Sequence, residues 1–259
     1  MKKLMQLMAL VLCMLLLFTG CQKATTNESK TDSDDTLVIG YTIYEPMNYL
    51  DENGNLTGFD TEFAEAVCKK LNKTPEFVEI NWDTKFVTLD SDQIDCIWNG
   101  MTISDEVKTN CLVSTPYVKN AQVVVMAKDK IEDYTTVESL KGLTFTAEAG
   151  SAGEEAIKTN GLDENYNPVN VQTDALMAVA AGQADACVID ITMAKASTAE
   201  GTSYEDYAYG LELTTEEYGI GFRLDDTELQ ESVNTAISEL YEDGTLTALA
   251  EKYNLNLAF

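Results

Sequence analysis

Hydrophobic positions change their period along the chain, and the changes mark its elements. An apolar run from Leu4 to Phe18 follows Lys2 and Lys3. It is short for a membrane span, which takes about 20 residues, and has the flanks of a signal-peptide core. Gln22 to Thr36 is polar and free of aromatics, which predicts an unfolded tether. From Leu37 the pattern becomes that of a folded domain. Leu37 to Ile43 predicts an opening strand, and Asp51 to Asn55 a turn. Phe63, Ala66, Val67 and Leu71 then recur at helical spacing, with Asp60 placed to cap the helix. Glu76 to Ile80 predicts a strand, and Asp95 to Trp98 a strand apolar enough to be central. A Gly-containing turn over Asn99 to Thr102, a short charged helix and a Thr-Pro-Tyr exit follow.

The second half repeats the alternation. Lys119 to Lys128 predicts a long extended run. Val137 to Gly142 predicts a short helix and turn, and Leu143 to Ala147 a strand. Gly150-Ser151-Ala152-Gly153 leads into a helix. Thr173 to Ala181 predicts a helix, Ala184 to Ile189 a strand, and Thr192 to Thr198 a helix. Leu211 to Phe222 holds a second extended run. Leu229, Val233, Ile237 and Leu240 form the stripe of an amphipathic helix over Thr227 to Tyr241, and Gly244-Thr245-Leu246 starts a closing one. Strands alternating with helices predict an α/β fold with a largely parallel sheet.

Charge narrows the function. The 259 residues carry 17 Lys and Arg against 44 Asp and Glu, a net charge of −27, and no His. No basic footprint is available for phosphate, which argues against nucleic acid, or for direct docking on anionic lipid. Without His the usual general base and metal ligand are missing, and no metal site or cofactor is expected. Phe18-Thr19-Gly20-Cys21 resembles a lipobox, which implies lipidation at Cys21 after loss of residues 1–20. Cys68, Cys96, Cys111 and Cys187 remain; no two share a metal or redox spacing. They read as buried thiols, their pairing left open.

The stretch from Ile94 to Tyr117, IDCIWNGMTISDEVKTNCLVSTPY, resembles the ligand-binding segment of amino-acid ABC transporter substrate-binding proteins. The pattern there is roughly D-A-hydrophobic-x-x-G-M-T-I-T-x-E-R, then F-S-x-P-Y. The resemblance extends over nearly all of Leu37 to Phe259. It implies a two-lobe periplasmic-binding-protein fold of type II, with lobe 1 at 37–120 and 215–259 and lobe 2 at 121–214. Two extended hinge crossings join them, near Lys119 to Val124 and Thr214 to Gly219. A ligand is then captured between the lobes by hinge closure. The implied ligand contacts are Tyr44 and Trp82 as facing rings and Asn99, Gly100, Met101 and Thr102 as a backbone and hydroxyl cradle. Ser151 and Ala152 would hold a carboxylate at a helix start. Asp190 would hold the α-ammonium, and Glu148 would read the ligand side chain. The implied role is that of a monomeric, lipid-anchored, extracytoplasmic receptor handing an amino acid or related amine to an ABC permease. A sensor domain and a dehydratase-type enzyme on the same fold are the alternatives.

One position departs from the pattern. The Arg that clamps the ligand carboxylate in the family falls on Val107. Arg grips a carboxylate through two parallel hydrogen bonds. A hydrogen bond to a charged group is worth roughly 1.5–3 kcal/mol, and each 1.4 kcal/mol is about tenfold in affinity. If the missing Arg limits carboxylate binding, Val107→Arg is expected to tighten free amino acids about tenfold or more and their amides far less. Titration of matched acid and amide pairs checks this, and equal tightening of both would refute it.

Overall fold

The computed structural model describes residues 35–259. The expected signal peptide, Cys21 and nearly all of the tether lie outside the described residues. The chain enters through β1 (Thr36–Tyr41) and the hairpin β2 (Tyr49–Leu50) and β3 (Leu56–Thr57). Helix α1 (Phe59–Leu71) and β4 (Thr74–Glu79) follow. After a single 3-10 turn at Trp82–Thr84 come α2 (Lys85–Asp90), β5 (Cys96–Thr102), α3 (Asp105–Asn110) and β6 (Leu112–Val113). The long β7 (Val118–Ala127) leads to α4 (Val137–Leu140), β8 (Phe145–Glu148), α5 (Ala152–Thr159) and β9 (Tyr166–Val169). Then come α6 (Gln172–Ala180), β10 (Ala186–Asp190), α7 (Ile191–Ser197) and the sixteen-residue β11 (Tyr207–Phe222). Helices α8 (Thr227–Glu242) and α9 (Thr245–Lys252) close the chain.

One sheet threads the described residues in the order β4-β1-β5-β11-β7-β10-β8-β9, with β6 also on β11. At one end β1 runs parallel to β4 and β5; at the other β8 runs parallel to β9 and β10. Between them β7 and β11 lie antiparallel over most of their length, so two extended segments link two α/β halves.

Side-chain alternation along the strands fills both faces. Cys96 and Trp98 face one core with Phe63, Val233 and Ile237. Ile97 and Met101 face another with Trp82, Leu89 and Val107. Val123 and Val125 turn one way, Val124 and Met126 the other. Helices α8 and α9 pack on α1, with Lys70 paired to Asp243 and Lys252 to Glu62 at the edges. The four cysteines are free and buried.

Two local expectations need correction. Asn99 to Thr102 is not a turn. It continues β5, with Gly100 at φ 55° inside the strand. A Cβ there would sit 2.6 Å from the Tyr44 ring, so only glycine lets ring and strand meet. Nor does Asp60 cap α1: Gly58 holds the cap position without a side-chain bond. Asp60 turns inward, fully buried, and its Oδ2 accepts from the Gly100 amide at 2.6 Å and the Tyr117 hydroxyl at 3.0 Å. The buried Gly100 amide and Tyr117 hydroxyl take the carboxylate that the helix start would otherwise use.

Asp60→Ala orphans both donors. It is expected to lower stability by about 1–3 kcal/mol per buried group left unpaired, read as a lower urea midpoint. Asp60→Asn, which keeps one acceptor oxygen, is expected to lose less.

Candidate functional site

The two halves meet where β7 and β11 cross, and register builds the site there. Asn120 and Gln122 are two apart on β7 and share a face. Across the sheet Asn120 stands opposite Glu216 of β11, and Gln122 opposite Asp190 at the end of β10. Both amides bridge the two carboxylates. Asn120 Nδ2 donates to Asp190 Oδ1 and, at 2.6 Å, to Glu216 Oε1. Gln122 Nε2 donates to the same two oxygens at 2.8 and 2.7 Å. Tyr218 donates to Asp190 Oδ1 at 2.7 Å and Gln172 to Oδ2 at 2.5 Å.

Asp190 holds the cap position of α7 without a side-chain capping bond. Its carboxylate is committed to the crossing instead. A carboxylate offers about four acceptor sites; three donors sit on Oδ1 and one on Oδ2, so little beyond one further site faces a ligand ammonium.

Glu148 ends β8 and is buried to 2 % exposure. Its Oε1 has no hydrogen-bond partner among the described residues. Burial and the nearby Asp190 charge push its carboxyl up to about 8, partly offset by Lys85. Burial, then the Glu216 charge, also raises Asp190. An anionic group with no donor in a dry site is costly, so Glu148 is held ready for a proton or a cation.

Eight expected contacts line one small chamber: Trp82, Asn99, Gly100, Thr102, Glu148, Ser151, Ala152 and Asp190, joined by Gln122 and Gln172. Its volume is about 20 Å³, room for about one water. Met101 faces an adjoining chamber that shares Trp82, Thr102, Ser151 and Ala152 and adds Lys85 and Val107. Tyr44 lines neither. Its ring is buried in the core beneath Gly100 and its hydroxyl bonds Thr192 and Tyr218 at 2.5 Å each. Thr102 spends its hydroxyl proton on Glu216 at 2.7 Å. Asn99 bonds the Thr42 backbone and Asn48, so it braces the cradle from behind.

The halves are drawn together over the chambers. Gly150, at φ 69°, has Asp83 of the opposite half beside it: a Cβ would lie 3.0 Å from the Asp83 Cα. Lys85 Nζ donates to Gly150 O at 2.8 Å across the same gap. Sequence reasoning missed Asn120, Gln122, Gln172, Glu216 and Lys85. A signal existed for Gln122, a polar residue inside the apolar run KNAQVVVMAK. The others needed the strand register.

The family profile of bacterial extracellular solute-binding proteins, family 3, matches residues 37–256. The L-cystine-binding protein TcyJ of Escherichia coli (strain K12) is 30% identical over 226 residues, 87% of this chain and 85% of that protein. A substrate-binding protein of an ABC uptake transporter from Streptococcus pneumoniae, solved with bound histidine, superposes with a TM-score of 0.79 at 32% identity. The match covers 87% of this chain and 94% of that one. An ancestral amino acid-binding protein, a precursor of cyclohexadienyl dehydratase, gives 0.78 at 30% identity, over 85% and 95% of the two chains.

Glu148 sets a pH dependence. Its carboxyl is raised from 4.5 to about 8, so between those values the folded state keeps a proton that the unfolded state has released. Its contribution to stability is therefore fullest below the lower value and falls as pH rises to the upper one. Glu148→Gln stays neutral, so its melting temperature is expected to vary less with pH across that window. An unchanged slope in thermal melts would show that Glu148 ionises freely.

Proposed function

The chain belongs to the bacterial extracellular solute-binding proteins, family 3, and from that premise we propose that it captures an amino acid or closely related amine between its two halves for uptake. The observation that carries this is the mixed lining of the small chamber. Glu148 and Asp190 line it together with Trp82 and the start of α5 at Ser151 and Ala152. Free amides at a helix start favour an anion, and a carboxylate lacking donors favours a cation. A zwitterion satisfies both. Glu148 adds demand for a second donor, which favours a ligand with a polar or cationic side chain.

The lobes divide at the crossing, 37–120 with 215–259 against 121–214, and β7 and β11 serve as the hinge. The chamber is too small for an amino acid as it stands, so entry requires opening there. Trp82 packs on the ligand, with Gly100, Met101 and Thr102 beneath it. Tyr44 acts through Gly100 and Asp190 rather than by touching the ligand. Cys21 carries lipid, the segment between it and β1 is a leash, and the monomer delivers its cargo to an ABC permease at the outer face of the cell membrane.

A second reading, an enzyme of the dehydratase type, draws on one observation: Glu148 is a buried acid that holds its proton near neutral pH, as a general acid must. Incubating a bound ligand with the protein separates the two. Ligand recovered unchanged supports capture, and a dehydrated product supports catalysis.

The test of capture is a thermal-shift screen of residues 35–259, a compact unit with its own cores, against amino acids, their amides and their decarboxylated amines. A true ligand at 100-fold excess over Kd adds about 2.7 kcal/mol, or roughly 5–10 °C for a domain of this size. No shift with any of the three classes would refute the reading.

A further inference from the structure

Lys85 is the least expected side chain near the chambers. It opens α2 directly after the turn that carries Trp82, and it is only 3 % exposed. Lysine is almost never buried without a counter-ion. Among the described residues no carboxylate lies within ion-pair reach of Lys85. Its ammonium donates to two carbonyls instead, Gly150 O at 2.8 Å and Trp82 O at 3.3 Å. It also lies 5.0 Å from the Trp82 ring centre and 4.6 Å from that of Phe86. Burial lowers its pKa, and the charges of Glu106, Glu148 and Asp83, beyond ion-pair distance, partly offset this. An ammonium has three protons, and two are placed.

The chamber that Lys85 lines holds matching groups. Ala152 begins α5, and its amide precedes the helix's first internal bond. Ser151 Oγ accepts from the Glu154 amide and keeps its own proton to give. Val107 forms an apolar wall of the same chamber, 4 % exposed. Glu106 and Glu155 also border it, but both are exposed to solvent. Lys85 is the only cation among the described residues lining either chamber.

We propose that Lys85 is the counter-ion for the carboxylate of the captured solute, acting with the open amides of α5 in the place where Val107 supplies no charge. This rests on the amino-acid reading and specifies how the ligand is oriented. Its carboxylate points at Lys85 and the start of α5, its ammonium at Asp190 and Glu148. Trp82, Thr102, Ser151 and Ala152 line both chambers and so lie along the middle of the ligand. Because Lys85 also bonds Gly150 across the gap, carboxylate binding and closure share one side chain. The site is accordingly selective for a free carboxylate despite the missing Arg.

The probes are L-arginine, L-argininamide and agmatine, and L-histidine, L-histidinamide and histamine, titrated by calorimetry into residues 35–259. Wild type is expected to prefer the free acid of a pair over its amide and amine by tenfold or more. Lys85→Met, which keeps the apolar stem, is expected to weaken the acid at least tenfold and the amide less than about threefold. Lys85→Arg is expected to stay within a few-fold of wild type for the acid. Equal weakening of acid and amide in Lys85→Met overturns the proposal and leaves Lys85 a latch on Gly150. So does wild-type binding of amides or amines as tightly as acids, a comparison that needs no variant to fold. In both cases amino-acid or amine capture still stands. Failure of wild type to bind any of the six probes, or any further amino acid in the thermal screen, overturns that reading and this proposal with it.

Discussion

A carboxylate taken out of water must be given hydrogen bonds, and at Asp190 that requirement organises the molecule. Its donors come from three separated places: Asn120 and Gln122 on β7, Gln172 at the start of α6, and Tyr218 on β11. Tyr218 in turn bonds Tyr44, from the loop after β1, and Thr192 on α7. Leaving such a group without donors costs several kcal/mol, so the network cannot be partly made at small expense. The crossing strands, the end of β10 and the floor of the chamber are consequently held in one arrangement by a single buried acid. The same commitment limits what Asp190 can still offer a ligand.

Around that hub the charges are sorted. Asp190 and Glu216 are bridged by the neutral amides of Asn120 and Gln122 rather than by cations, and Glu148 is buried near Asp190 without a donor on its Oε1. Lys85 lines the adjoining chamber, and Ser151 and Ala152 at the start of α5 line both. In a chain of net charge −27, Lys85 is conspicuous among the described residues as a buried cation whose ammonium bonds carbonyls rather than a carboxylate. Neutral donors relieve the acids without cancelling them, so the chamber keeps a field that a dipolar molecule can satisfy. The raised Glu148 carboxyl follows from the same sorting: burial and a like charge leave it no cheap way to ionise until a cation arrives.

Much of this was legible from the residues alone, and the reason is local. Strand and helix periods over Leu37 to Tyr241 need only neighbours along the chain, so α1, β5, α5, α8 and the two long extended runs were readable. The Ile94 to Tyr117 stretch pointed to the solute-binding family, and its Gly100, Met101 and Thr102 do face or floor the chambers. Reading failed where a side chain had two competing partners. Asp60 had the sequence of a helix cap but gave its carboxylate to the Gly100 amide and Tyr117.

The sequence by itself determined the class of fold, the family, the absence of His chemistry and the departure at Val107, because each depends on residue type and spacing. Only the tertiary structure decided which polar groups meet. Asn120, Gln122 and Glu216 come together with Asp190 through a register between strands far apart in the chain. Lys85 reaches Gly150, 65 residues away, through the approach of two halves. Hydrogen bonds and buried charges act over a few ångströms in space, and no period along the chain encodes which distant residues will arrive within that range.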